Sequence, residues 1–142
     1  MNKVAVIILN WNGETLLREY LPSVIETTDT SIADVIVADN GSTDNSVELL
    51  RKEFPQVKLL EFSENYGFAE GYNRALAQLD GYDCCVLLNS DVKTPKGWLA
   101  PLVQVLERDS SVAVVGPKIL SVEEPTTFEY AGAAGGFIDY LG

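Results

Sequence analysis

The chain has 142 residues, 46% of them hydrophobic, enough to build a proper core for one compact α/β or α+β domain. Lys and Arg number 10 against 21 Asp and Glu; a formal net charge of −11 with no basic cluster argues against nucleic acid or an anionic membrane surface as partner. Histidine is absent, which excludes imidazole bases, Ser-His and Cys-His nucleophiles and His-ligated zinc, so any general base must be Asp or Glu.

Val4 to Leu9, a continuous β-branched and aliphatic run closed by Asn12-Gly13, reads as a strand buried on both faces. It is too short for a membrane span and lacks the small-residue cleavage pattern of a secretory signal, so a reducing, cytoplasmic setting is expected. Leu16, Leu17, Tyr20, Leu21, Val24 and Ile25 fall at helical spacing across Glu14 to Thr27, with Pro22 as the threat to continuity. Asp34 to Ala38 predicts a second buried strand, Ser42 to Phe54 a helix stopped by Pro55, and Val57 to Phe62 a third strand. Ser63 to Gly67 reads as a loop, Phe68 to Leu79 as a helix and Tyr82 to Leu88 as a fourth strand, in which the adjacent Cys84 and Cys85 are expected to be small buried hydrophobes. Thr94-Pro95 opens a helix that ends near Arg108, and Val112 to Val115 predicts a short fifth strand ended by Gly116-Pro117. Alternating strands and helices with buried strands predict an α/β fold, a mostly parallel sheet flanked by helices on both faces. The stretch from Glu123 to Gly142 carries Phe128, Tyr130, Phe137, Ile138, Tyr140 and Leu141 among Gly, Ala and Thr. It is either a floppy terminus or a segment leading into a second half that would cover those side chains.

Ligands of open parallel sheets bind beyond the carboxyl ends of the strands, where strand order reverses. With the order 3-2-1-4, the tips "NWNGE" (Asn10 to Glu14), "DNGSTD" (Asp39 to Asp44) and "NSDVKTP" (Asn89 to Pro95) lie side by side, so Trp11, Asp39 and Asp91 share one crevice. Thr94 and Pro95 suffice to cap the helix after strand four, and Ser42, Thr43 and Asp44 stand nearer the helix after strand two than Asp39 does. Both carboxylates are therefore spare for function, with an Asx-turn beside Asn40-Gly41 as the structural alternative for Asp39. A dinucleotide fold would need G-x-G-x-x-G after strand one, and "NWNGE" has one glycine. A diphosphate on so acidic a chain would best be held through Mg²⁺ or Mn²⁺ on Asp91. Trp11 is either a core-edge aromatic or a plate for a base, and Asp39 could accept the ring N–H of a pyrimidine. Asn65, Gly67 and Asn73 form a weaker set that bonds the nucleotide or simply closes a loop. Arg74 and Lys118 stand between phosphate contacts and ordinary solvated charges.

The stretches "VAVIILNWNGE", "VIVADNGSTDNS", "NYGFAEGYN" and "VLLNSDV", in this order and spacing, resemble the inverting family 2 glycosyltransferases of the GT-A fold, in particular the rhamnosyltransferase-like branch in bacteria. The resemblance covers nearly the whole chain as a donor-binding half, with residues 1–120 as the nucleotide-sugar-binding subdomain and 121–142 leading into an acceptor-binding half. It implies nucleotide contacts from Leu9, Asn10, Trp11, Asp39, Asn65, Gly67, Asn73, Asn89 and Ser90, and a metal ligand in Asp91. Asn89-Ser90-Asp91 stands where the family often has Asp-x-Asp, and Tyr72 stands where an Arg often precedes the Asn of the third motif, which puts a phosphate contact there in doubt. The implied donor is a UDP- or dTDP-sugar and the implied acceptor a glycan or lipid-linked hydroxyl. The catalytic base would lie beyond Gly142, and Asp139 does not suit that role; an amphipathic helix further on would attach the protein to the inner membrane face. A non-catalytic nucleotide- or partner-binding domain of the same fold is the alternative.

Overall fold

The computed structural model describes residues 3–130 and divides the chain into two compact units, one reaching Trp98 and one beginning at Leu99. The first unit runs β1 (Val4–Asn10), α1 (Glu14–Thr27), β2 (Ala33–Asp39), α2 (Ser46–Glu53), β3 (Lys58–Glu61), α3 (Phe68–Leu76) and β4 (Cys84–Leu88). Its four strands are all parallel, in the order β3-β2-β1-β4, so the chain winds outward from β1 in both directions. The reversal of winding falls between β1 and β4, as the pattern predicts.

Burial explains why β1 sits at the centre. Val4, Ala5, Val6 and Ile7 are wholly buried, and Ile36, Val37 and Ala38 of β2 lie beside them. Each large side chain so buried contributes about 1.5–3 kcal/mol relative to exposure. One face carries Leu17, Leu21 and Val24 of α1 at helical spacing, all buried. On the other face Tyr72 and Ala75 of α3 pack with Ala5, Ile7, Ile36 and Ala38, and Leu9 joins this cluster. The α1 helix continues through Pro22 without a break. Register fixes the site: Asn10 pairs with Asp39, Asp39 with Glu61, and Ile8 with Leu88, which brings the ends of all four strands to one edge.

Several expected boundaries move. The second helix starts at Ser46, not Ser42, because Ser42, Thr43 and Asp44 are drawn into bonds with the β1 tip. The third helix ends at Leu76 in a turn whose N–H groups bond back three residues, Gln78 to Ala75 and Leu79 to Leu76. Thr94 does not cap a helix: α4 spans Leu99–Arg108, and the Thr94 hydroxyl is hydrogen-bonded to that of Thr27 at 2.7 Å. Cys85 is exposed and Cys84 half-buried, contrary to the expectation of two buried thiols, because β4 is an edge strand with Leu87 also in the open.

In the second unit, residues 112–115 form no strand. A β-branched run becomes a strand only when a neighbour takes its backbone bonds; here the Val112 N–H closes a turn on the Asp109 carbonyl at 3.1 Å, and Val114 is 85% exposed. Leu120 and Phe128 form an antiparallel bridge, with the Lys118 ammonium 5.9 Å from the Phe128 ring centroid, so Lys118 already has an aromatic neighbour. Phe137, Ile138, Asp139, Tyr140 and Leu141 lie outside the described residues.

Candidate functional site

The polar tips of β1 and β2 are tied into one hydrogen-bonded network. Asp39 is 2% exposed at the end of β2. Its Oδ1 accepts the Asn10 Nδ2 at 2.8 Å and the Ser42 hydroxyl at 2.6 Å, and its Oδ2 accepts the Ser42 N–H at 2.9 Å. Three donors to one carboxylate offset the cost of burying its charge. The Ser42 oxygen in turn accepts the Asn12 N–H at 2.8 Å. Asn12 has a φ of 50°, a left-handed conformation that Asn tolerates better than most residues, and its Oδ1 accepts the N–H of Thr43 at 2.7 Å and of Asp44 at 3.3 Å. Asp44 closes the loop: Oδ2 accepts the Glu14 N–H at the start of α1, and Oδ1 accepts the Ser46 N–H at the start of α2.

The stretch "DNGSTDNS" carries more capping side chains than one helix can use because they serve two helices and two strand tips. Neither Gly13 nor Asn45 caps its own helix through a side chain. Asp44 serves both helices, and Ser42 and Asp39 brace the two tips. Sequence reading placed Ser42, Thr43 and Asp44 on α2 alone and did not single out Asn12; the surplus of caps was the available signal.

A second network holds the loop after β3. Asn40, 2% exposed, donates from Nδ2 to Asn65 Oδ1 at 2.9 Å and to the Gly67 carbonyl at 3.0 Å, while its Oδ1 accepts the Tyr66 N–H at 3.1 Å. Gly41 must be glycine on two counts: its φ is 73°, and an added Cβ would lie 2.5 Å from the backbone of Glu64.

Other expected site residues differ in what they offer. Trp11 is 56% exposed just beyond Asn10, so its indole is a surface feature and not a core edge. The Leu9 side chain packs into the core, and an added Cβ on Gly71 would meet its methyls at 2.9 Å. The Asn10 Nδ2 is spent on Asp39 and Ser42, while its Oδ1 is buried without a partner among the described residues. Asn73 and Asn89 are exposed and Ser90 half-buried, outside both networks. Tyr72 is buried, and its hydroxyl donates to the Leu88 carbonyl at 3.1 Å; burial raises its pKa, and no phosphate contact is offered. Arg74 bonds Glu70 at 2.8 Å and stacks on Tyr66 at 3.7 Å, so its charge is already engaged.

Asp91 contrasts with Asp39 in burial and in bonding. It is exposed, follows β4 by three residues, and has no hydrogen bond or ion pair among the described residues. Its neighbour Tyr20 has a raised pKa, first through the charge of Glu19, with a lesser contribution from Asp91. Among the described residues no group of three or more His, Cys, Asp or Glu could by itself hold a metal. One unencumbered carboxylate fits a hard divalent cation shared with waters and ligand oxygens, the usual manner of Mg²⁺, better than a resident metal cage.

An open parallel sheet with acids and amides at the reversal of winding, and no glycine cradle after β1, sets this fold apart from dinucleotide-binding domains. The chain belongs to glycosyl transferase family 2, whose profile matches residues 5–135. The fold is the GT-A type. The mannosyltransferase PcManGT from Pyrobaculum calidifontis, solved in complex with GDP-Man and Mn²⁺, aligns with a TM-score of 0.68 and 26% identity over 84% of this chain and 35% of its own. TarS 1-349 from S. aureus, in complex with UDP-GlcNAc, aligns with a TM-score of 0.65 and 24% identity over 75% of this chain and 31% of its own. An N-acetylglucosaminyl-diphospho-decaprenol L-rhamnosyltransferase of Mycobacterium tuberculosis is 27% identical over 124 residues, and the glycosyltransferase YfnE of Bacillus subtilis 32% over 117. Each covers 80% of this chain, which spans only 40% and 29% of their lengths. No helix among the described residues is long and apolar enough to cross a membrane.

Proposed function

We propose that the chain is the donor-binding part, centred on residues 1–120, of a metal-dependent inverting glycosyltransferase. It takes a sugar from a UDP- or dTDP-sugar to an acceptor hydroxyl in glycan or cell-surface polysaccharide synthesis. The observation that carries this reading is the contrast at one sheet edge. Asp39 is buried and bonded, Trp11 is exposed one residue beyond the strand partner of Asp39, and Asp91 is exposed and unbonded after the neighbouring strand.

In this reading the base lies on Trp11. Asp39 Oδ2, which accepts only one donor among the described residues, takes the ring N–H of uracil or thymine with its remaining lone pair. Asn65, Gly67 and Asn73 border the nucleoside, and Asn89 and Ser90 border the diphosphate. A divalent cation held by Asp91 and the diphosphate would offset the negative charge of the departing group. In the transfer, the acceptor oxygen bonds to the anomeric carbon from the face opposite the leaving group, and the bond from that carbon to the diphosphate oxygen breaks. The carboxylate that takes the acceptor proton is assigned to the part of the relatives' length that this chain does not span. The complexes of PcManGT with GDP-Man and Mn²⁺ and of TarS with UDP-GlcNAc support a nucleotide-sugar donor and a metal. The decaprenol-linked substrate in the name of the mycobacterial relative supports a lipid-linked acceptor.

Titration calorimetry with UDP and dTDP, each with and without Mn²⁺, tests the proposal. Binding that strengthens with Mn²⁺ is expected, and no binding of either nucleotide would refute it.

A further inference from the structure

We propose that Asn40 is a positioning residue for the donor pocket: it holds the Asn65–Gly67 turn so that the Asn65 amide turns its N–H₂ outward. The inference rests on the donor-site reading above, and nothing in that reading assigns Asn40 a part.

Residues 63–67 lie between β3 and α3 with no helix or strand to take their backbone bonds. Such groups need partners once they are covered. Three bonds to this turn come from the single buried side chain of Asn40. Two leave Nδ2, for Asn65 Oδ1 and the Gly67 carbonyl, and one arrives at Oδ1 from the Tyr66 N–H. Asn40 is itself fixed at the sheet edge, its backbone N–H donating to the Asn10 carbonyl at 2.7 Å. One planar amide thus joins the end of β1, the end of β2 and the turn after β3.

The consequence falls on Asn65. Its Oδ1 accepts both the Asn40 Nδ2 at 2.9 Å and the Gly67 N–H at 2.8 Å. Two donors aimed at one atom settle which end of the amide faces inward, since reversal would set N–H against N–H. The Asn65 nitrogen has no partner among the described residues, and the residue is exposed. Asn65 therefore presents donors to a ligand, suited to a carbonyl of a keto pyrimidine or to a phosphoryl oxygen. The neighbours are shaped to fit: an added Cβ on Gly41 would strike Glu64, and one on Gly71 would come within 3.1 Å of Asn40 Nδ2. Asp at position 40 would keep the shape and the acceptor for Tyr66 but lose both donors, and would face the Gly67 carbonyl with a negative oxygen.

The test is a double-mutant cycle on UDP affinity in the presence of Mn²⁺, using Asn40→Asp, Asn65→Ala and the pair, with amide hydrogen exchange at Tyr66 and Gly67. Each single change should weaken UDP roughly tenfold, as expected for lost hydrogen bonds. The pair should be at most about twofold weaker than the worse single variant, because both act through one group. Exchange at Tyr66 and Gly67 should be slow in the unaltered chain and fast in Asn40→Asp. Additive losses in the cycle, or a folded Asn40→Asp with unchanged UDP affinity, would overturn the proposal. Should Asn40→Asp fail to fold, the decision passes to exchange in the unaltered chain and in the exposed-site variant Asn65→Ala. Unprotected Tyr66 and Gly67 amides in the unaltered chain would then overturn it, and slow exchange with faster exchange at Gly67 in Asn65→Ala would support it. Absence of UDP binding by the unaltered chain would count against the donor site itself, while the exchange pattern would still decide whether Asn40 holds the turn.

Discussion

The Asp44 carboxylate accepts the backbone N–H of Glu14 at 3.0 Å across thirty residues of sequence, and with its other oxygen accepts the N–H of Ser46 at the same distance. One side chain thereby caps α1 and α2 and locks the tips of β1 and β2 together. Loss of a single side-chain cap costs about 0.5–2 kcal/mol. Asp44→Ala removes two, and is expected to lower unfolding free energy by about 1–3 kcal/mol in urea titrations followed by circular dichroism. Asp44→Asn, which keeps only one carbonyl acceptor, should fall between the two.

Asp39 and Asp91 should both matter for nucleotide binding and differ in what they do for stability. Asp39→Ala leaves the Asn10 amide and the Ser42 N–H without their acceptor, and about 1–3 kcal/mol of stability should be lost for such unpaired buried groups. Asp91→Ala touches an exposed carboxylate, so stability should change by less than about 0.5 kcal/mol. Its expected effect is on the nucleotide: the increment in UDP affinity that Mn²⁺ provides should vanish. Thermal melts and calorimetry on the same samples distinguish these outcomes.

Trp11→Ala should behave like Asp91→Ala in stability and unlike it in binding. The indole is more than half exposed, so little packing is lost. Stacking of a base on an aromatic ring is worth about 1–3 kcal/mol, which predicts UDP binding weaker by about 5-fold to 150-fold, with or without Mn²⁺.

At the opposite end of the sheet, Asp34 is held at a pKa of about 2, first by the Lys58 ammonium at 2.7 Å, then by the Tyr82 hydroxyl at 2.6 Å and by Lys3. A folded-state pKa below the ordinary 3.8 stabilises the protein fully above that value, and the contribution is lost as pH falls toward about 2. Allowing for solvent screening of a partly exposed group, Asp34→Asn should cost about 1–2 kcal/mol at pH 7. The gap between the variant and the unaltered chain should close on acidification through that window, as urea titrations over a pH series would report.

The α/β alternation, the strand order and the crowding of polar tips at one edge were legible because each rests on a local pattern. Buried runs such as Val4 to Leu9 and the helical spacing of Leu17, Leu21 and Val24 leave few topologies open. What escaped was long-range. Ser42 and Asp44 look like caps of the helix that follows them, and only the fold brings Asn12 and Glu14 close enough to claim them. In the sequence Asn40 is merely a neighbour of Asp39, since nothing local shows that it reaches the turn after β3. Val112 to Val115 failed as a strand for a related reason. Side-chain type favours extension, but where the backbone bonds go decides it, and the Val112 N–H goes to Asp109.

The central claim is that a nucleoside diphosphate and its cation sit at the carboxyl ends of β1, β2 and β4. Paramagnetic broadening of backbone amide resonances by Mn²⁺ in the presence of UDP tests it most directly, because the effect falls steeply with distance from the ion. The account predicts strongest broadening at Ser90 to Val92, clear broadening at Trp11 and Ser42, and sharp signals at Lys3, Asp34 and Tyr82 on the far edge. Broadening centred on that far edge, or none that depends on UDP, would contradict it.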